Sequence, residues 1–432
     1  MIVADRTEAP AFKLIENIKV PEVEKLVLNN GVPVYYLNSG SQDVVKIELN
    51  FDAGIWQQTQ PLVATLTNAM LLEGTSNMLS SEISEKVDYY GAFLHPQVDK
   101  DGASITLYTL NKYLSETITV LSDVIQFSTF PENEFTTLLN KRRQQFTVDS
   151  EKVKVLAGRK FQEVLFGADS PYGLTAKLED FDKLKTSQLH EFFYHKYSSV
   201  NCRIVVAGKI TKTTKSIIKA SFSDKFGNQN GSSSRQVIGT SSSGNKIHAV
   251  QKPGAVQSAI RIGKPMINKQ HPDFSGLKFL NTLFGGYFGS RLMANIREDK
   301  GYTYGISSLL ISLKHSGYLA VVSEVGSEVA QNTIDEVKYE MSALHEHLVP
   351  EEELFRVRNY LLGELLRDID GPFSASETYK SLLDFDLDFN FIVQMADSFR
   401  NITDRTLQDL AQKYLDPESM YYVTAGPGTE SR

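Results

Sequence analysis

The second half of the chain carries Arg297 and, seven residues on, Tyr304, in the run Arg297-Glu298-Asp299-Lys300-Gly301-Tyr302-Thr303-Tyr304. A guanidinium is always charged and presents a planar fork of donors, and a phenol adds one more, so the two together suit stabilisation of an oxyanion. Spacing alone favours a plainer reading, a surface salt bridge beside a core aromatic. His190-Glu191-Phe192-Phe193-Tyr194-His195 has the look of a zinc motif. Its histidines are five apart, however, and so lie about 140° from each other around a helix of 3.6 residues per turn. They diverge, and the segment reads as an ordinary, partly exposed helix before Tyr197. His345 and His347 sit at a helix end before Pro350, where residues two apart do not share a face. Both read as solvated.

The glycine-rich stretch Leu283 to Leu292, LFGGYFGSRL, is followed by neither GKS nor GKT and does not match GxGxxG. Gly285, Gly286 and Gly289 therefore read as a tight backbone turn between packed helices, with substrate gating as an added role, rather than as a phosphate cradle. Trp56, the one tryptophan, follows Gly54 at the end of a strand and reads as core or interface packing. A single cysteine, Cys202, can form neither an internal disulfide nor a cysteine zinc cluster, so the fold needs no oxidising compartment.

An internal duplication supplies the elements that position these residues. The run VVAG ending at Gly208 returns as YVTAG ending at Gly426, 218 residues later. Phe130-Pro131-Glu132 returns as Val349-Pro350-Glu351, Lys196-Tyr197 as Lys413-Tyr414 and Thr117-Ile118 as Thr333-Ile334, at offsets of 219, 217 and 216. Alternating runs at Val44 to Phe51, Ala103 to Thr109 and Tyr318 to Ser323 predict strands, and the spacing over Leu114 to Ser128 and Val329 to Leu348 predicts helices. A second helix in each half starts after Pro131 or Pro350 with acidic residues, as the helix dipole favours. Strands interleaved with antiparallel helix pairs predict an α+β class: two similar tandem domains, each a mainly antiparallel sheet packed with helices. The Gly, Ser and Asn content of GNQNGSSSRQVIGTSSSGNK places a linker at 227–246, between domains at 1–226 and 247–432.

Composition narrows the partners. Lys plus Arg number 45 against 52 Asp plus Glu, a net charge of −7 over 432 residues, which argues against a general nucleic-acid or anionic-membrane binder. With 41% hydrophobic and 10% aromatic residues the chain can bury a large core. No run approaches the roughly 18 apolar residues of a membrane span. Met1 to Lys13 lacks the basic and apolar regions of a signal peptide, so the chain as written reads as cytoplasmic, though a trimmed leader is compatible with the sequence.

The duplicated layout, the LFG…SRL turn, the Arg297 and Tyr304 pair and the run Met70-Leu71-Leu72-Glu73-Gly74-Thr75 together resemble the pitrilysin and insulinase family of inverzincin metallopeptidases, in particular its mitochondrial-processing-peptidase-like branch with half-length subunits. The resemblance implies HxxEH on a helix just before that run, where two histidines hold zinc and the Glu activates water. Here the segment reads Thr65-Leu66-Thr67-Asn68-Ala69. By the resemblance, Thr65 and Ala69 stand at the two histidine ligand positions and Asn68 at the general base. Counting back from Leu165-Phe166-Gly167, which matches the family's LFG, Gln145 stands where the third ligand, a Glu, belongs. No imidazole or carboxylate remains among the four, so zinc is not expected in this chain.

The resemblance also implies that Arg297 and Tyr304 reach toward substrate at a zinc site. Retained beside an erased metal site, the pair fits the non-catalytic subunit of a two-subunit zinc peptidase. The expected partner is a homologous, HxxEH-bearing subunit of similar length that brings the zinc; in isolation a homodimer is compatible with the sequence, which does not fix the oligomeric state. The expected substrate is an extended, unfolded polypeptide paired with a sheet edge inside the closed chamber. A structural or scaffolding subunit derived from the peptidase fold is the alternative. An autonomous metallopeptidase with a relocated metal ranks last, because the eight histidines offer no convincing ligand cluster.

Overall fold

Val44–Phe51 alternates apolar side chains with Lys46, Glu48 and Asn50, whereas Cys202–Gly208 is apolar almost throughout, and both strands are nearly wholly buried. In the computed structural model, which describes residues 15–230 and 242–427, these two strands form the centre of the first of two sheets. Its strands in chain order are β1 (Glu24–Val27), β2 (Pro33–Asn38), β3 (Val44–Phe51), β4 (Phe93–Val98), β5 (Ala103–Leu110) and β6 (Cys202–Gly208). They are arranged β1-β2-β6-β3-β5-β4, all antiparallel except β2 with β6. The helices of this half are α1 (Val63–Met70), α2 (Ser80–Tyr89), α3 (Leu114–Phe127), α4 (Glu132–Asp149), α5 (Val153–Phe166), α6 (Thr186–Lys196) and α7 (Lys212–Phe222).

The second sheet repeats the plan with β7 (Ile247–Gln251), β8 (Gln257–Pro265), β9 (Ile306–Leu313), β10 (Ser316–Gly326) and β11 (Tyr421–Gly426), arranged β7-β11-β8-β10-β9. Only β7 and β11 run parallel. Its helices are α8 (Phe274–Asn281), α9 (Ala330–Glu346), α10 (Glu351–Asp368), α11 (Gly371–Leu383), α12 (Asn390–Asn401) and α13 (Asp404–Tyr414). The fold is the α+β class read from the sequence, two similar halves each built on a mainly antiparallel sheet. The strands at 44–51, 103–110 and 316–326 and the helices at 114–127 and 330–346 agree with the periodicities. Pro131 and Pro350 cap α4 and α10 at φ −59° and −60°, and both helices open on glutamates.

The two halves exchange helices. α5, from the first half, packs on β8 and β11 of the second sheet. Its Ala157 lies against Ala259 and Ala425, and its Phe161 and Val164 join Trp56, Tyr172, Leu313 and Val423 in one buried cluster. Reciprocally, α11 packs on β2 and β6 of the first sheet, so that Leu37, Val205 and Ala207 are buried with Ala375, Tyr379 and Leu382. A strand sends successive side chains to opposite faces, which is why Val205 and Ala207 serve this inter-half core while Ile204 and Val206 join the first half's own. Trp56 stacks between Tyr172 and His315, each ring centroid 4.4 Å away, and so packs at an interface between halves.

The glycine-rich stretch departs from expectation. Instead of one tight turn between helices, it follows a wide π-helical turn over Thr282–Gly286, and a second wide turn over Met293–Asp299 carries Arg297. Gly285 is needed because the chain passes close to β9, where a Cβ would come within 2.7 Å of the Ser308 Cβ. Of the segment at 227–246 that its composition marks as a linker, residues 231–241 lie outside those described.

Candidate functional site

The four degenerate positions converge. Thr65, Asn68 and Ala69 on α1 and Gln145 on α4 line one cavity of about 400 Å³, together with Leu62, Leu66, Pro96, Val98, Arg142, Phe146, Asp149, Arg159 and Phe181. α1 places positions 65 and 69 one turn apart on the face toward the cavity, and α4 faces them from the other side.

Each of the four has other work or none. The Thr65 hydroxyl donates to the Leu62 carbonyl at 3.0 Å. Asn68 is almost wholly buried, and its amide donates to the Ser104 carbonyl at 3.2 Å and the Tyr197 hydroxyl oxygen at 3.0 Å. Tyr197 is itself fully buried, which pushes its phenol well above the ordinary value. Ala69 has no polar side-chain atom, and Gln145 is exposed and hydrogen-bonds Asp149. No group of three or more His, Cys, Asp or Glu capable of holding a metal occurs among the described residues.

Charge in this cavity was not anticipated from the motif. Arg142, Gln145, Phe146 and Asp149 recur at i, i+3, i+4 and i+7, so one face of α4 turns into the cavity, a pattern legible in the sequence had the third-ligand helix been read whole. Arg159 reaches in from α5, its guanidinium carbon 4.0 Å from the Phe146 ring centroid and one nitrogen 2.8 Å from Ser150 Oγ. Asp149 is held below the usual carboxylate range, first by its hydrogen bond with Lys152 at 2.7 Å and next by that with Gln145.

Tyr304 lies on the other half, just before β9, with a relative exposure of 98%. It lines an open groove of about 390 Å³ with Gln257, Arg261, Thr303, Ser307 and Glu324, and its hydroxyl has no hydrogen-bond partner among the described residues. Arg297 is outside that lining. It stacks on Phe288 at 4.6 Å, with Glu298 3.9 Å away, and its side chain is 34% exposed. Groove and cavity flank one helix: Lys154 in the first turn of α5 approaches Glu324 at 3.9 Å and accepts from Arg261 through its carbonyl, while Arg159 further along α5 lines the cavity. The plain reading of Tyr304 as a core aromatic is thereby overturned.

The remaining histidines stay apart. His190 packs edge-on against Phe130, whereas His195 bonds Asn228 at 2.7 Å. His347 is exposed, but His345 is half-buried with its Nε2 enclosed and unpartnered, because α13 covers it: Gln408 and Gln412 donate to its carbonyl. His345 is therefore less solvated than its place at a helix end suggested.

Comparison with known proteins gives two family-model matches: the insulinase family, peptidase family M16, over residues 34–162, and the peptidase M16 inactive domain over residues 183–361. Among curated proteins the chain is 21% identical to "uncharacterized zinc protease YmxG" of Bacillus subtilis, covering 81% of this chain and 85% of that one. It is 25% identical to "non-peptidase homolog YmxG" of Helicobacter pylori, over 83% and 84%. Among solved structures, a peptidase M16 inactive domain from Pseudomonas fluorescens superposes with a TM-score of 0.86 at 21% identity, covering 95% of this chain and 99% of that one. Among the described residues no helix is long and apolar enough to cross a membrane.

Proposed function

This chain belongs to the insulinase family of peptidases, as an inactive-type homologue, and from that premise we propose that it is the non-catalytic subunit of a two-subunit zinc peptidase acting on unfolded polypeptides. Arg297 and Tyr304 contribute to a zinc site that a homologous HxxEH-bearing subunit of similar length brings. The observation that carries this reading is Tyr304. A tyrosine 98% exposed, with no hydrogen bond to its own chain among the described residues, does no packing work, and it stands beside an open groove on the half that also presents Arg297. The empty chemistry of the Thr65, Asn68, Ala69 and Gln145 positions supports a role without metal in this chain. At a partner's zinc, the guanidinium and phenol act as donors to the oxyanion that forms when water adds to a peptide carbonyl. The substrate enters extended, with main-chain hydrogen bonds to a sheet edge such as β4, which pairs only with β5 among the described strands.

The test is the turnover of a complex reconstituted from this chain and its HxxEH-bearing partner. Arg297→Ala or Tyr304→Phe should lower kcat by about 10²–10³ with assembly and zinc content unchanged, the usual effect of removing one oxyanion donor. Unchanged turnover in both variants would leave a scaffolding role as the better account.

A further inference from the structure

Where the family resemblance places a metal, this chain has built a different kind of cavity. Its apolar lining is Leu62 and Leu66 at α1, Pro96 and Val98 on β4, and the packed pair Phe146 and Phe181. Two guanidiniums, Arg142 on α4 and Arg159 on α5, share that lining. The single carboxylate in the lining, Asp149, is already engaged by Lys152 at 2.7 Å and by Gln145. Arg142 has no ion pair or hydrogen bond among the described residues. Arg159 is stacked on Phe146 and tied to Ser150 through one nitrogen, which holds the guanidinium in place and leaves the rest of its fork available. Burial lowers its proton affinity, and the charge of nearby Asp149 offsets this only in part. The cavity, at about 400 Å³, falls within the range of small-ligand sites.

From this geometry we propose that the cavity binds the free C-terminal carboxylate of an extended peptide whose last side chain is apolar. A fixed guanidinium plane matches a carboxylate in the two-pronged manner that a lysine cannot, and a second guanidinium adds charge. The apolar lining sets the preference among carboxylates. A C-terminal residue carries its side chain on the same carbon as its carboxylate, so one cavity lined by both guanidiniums and apolar groups meets the two together, whereas an internal Asp or Glu brings charge without an apolar partner. β4 contributes Pro96 and Val98 to the apolar lining and is an edge strand of its sheet, so a chain laid along that edge runs beside the cavity. This proposal rests on the reading of peptide as the ligand, but not on catalysis at a partner's zinc.

The experiment uses the purified full chain and fluorescence anisotropy of dye-labelled nonapeptides ending in Leu. Three peptides are compared: the free acid, the C-terminal amide, and the amide with an internal Glu. The free acid should bind at least 10-fold more tightly than either amide, and added salt should weaken it. Arg142→Ala, at an exposed position that folding does not depend on, should abolish most of the preference; Arg159→Lys, which keeps the charge and loses the fork, should remove part of it. Equal affinity for acid and amide, an internal-Glu amide as tight as the acid, indifference to Arg142→Ala, or no binding at all would each overturn the proposal. None of these outcomes touches the turnover test of Arg297 and Tyr304, so the two readings fail separately.

Discussion

Asn68 donates its side-chain amide to the hydroxyl oxygen of Tyr197 at 3.0 Å, across 129 residues of sequence, at the position where the family resemblance calls for a general base. Asn68→Asp tests what this bond does. The carboxylate would meet the Ser104 carbonyl, acceptor to acceptor, in a buried site, and should cost about 1–3 kcal/mol. The folded-state pKa of the new Asp is raised by burial, so the loss is absent below the ordinary value near 4 and accrues as pH rises from there to the raised folded value. Urea denaturation of both proteins across that range checks it, and a penalty independent of pH would contradict the assignment.

The isolated chain should hold no stoichiometric zinc and cleave no peptide, since Thr65, Asn68, Ala69 and Gln145 offer neither ligand nor base. Elemental analysis and a peptide-cleavage assay read this directly. A tightly held equivalent of zinc, lost on substituting any of the four, would refute it.

Arg297→Ala and Tyr304→Phe should leave the stability of the isolated chain within about 0.5 kcal/mol, because neither side chain is buried. Thermal melts suffice, and a large drop in Tm for Tyr304→Phe would mean that the phenol has a structural partner.

Lys46 and Glu48 on β3, both wholly buried, lie 2.8 Å apart as an ion contact, and Lys380 and Glu377 on α11 close the ring from the other half. Glu48→Gln leaves Lys46 buried with only Glu377 opposite and should cost about 3–5 kcal/mol in urea denaturation. Although burial pushes Glu377 up, hydrogen bonds from Lys380 and Lys46 outweigh it and hold the carboxyl below its ordinary value. Its contribution is therefore complete above the unfolded value near 4.5 and lost as pH falls through the folded value. In Glu377→Gln the acid limb of the stability profile should flatten; an unchanged limb would remove this group from the account.

Because α5 and α11 are exchanged between halves, a chain cut at a protease site engineered in place of 231–235 should stay together. Both fragments should co-elute on size exclusion without denaturant, and their separation would show that the exchanged helices do not hold the halves.

The sequence by itself determined the duplication, the α+β class, most strands and helices, and that Thr65, Asn68, Ala69 and Gln145 carry no imidazole or carboxylate. These are local matters: side-chain period fixes element type, and a residue that lacks a ligand atom lacks it in any fold. Tertiary structure alone decided what surrounds those four positions. Arg159 enters the cavity only because α5 crosses to the second sheet, and no local pattern records which sheet a helix will choose. Tyr304, read alone, is an aromatic with core propensity, and its exposure depends on where β9 begins at the sheet edge. The same limit hid the ring of Lys46, Glu48, Glu377 and Lys380, whose cross-half partners are 331 and 332 residues apart in sequence and meet because two halves bury one another's surfaces.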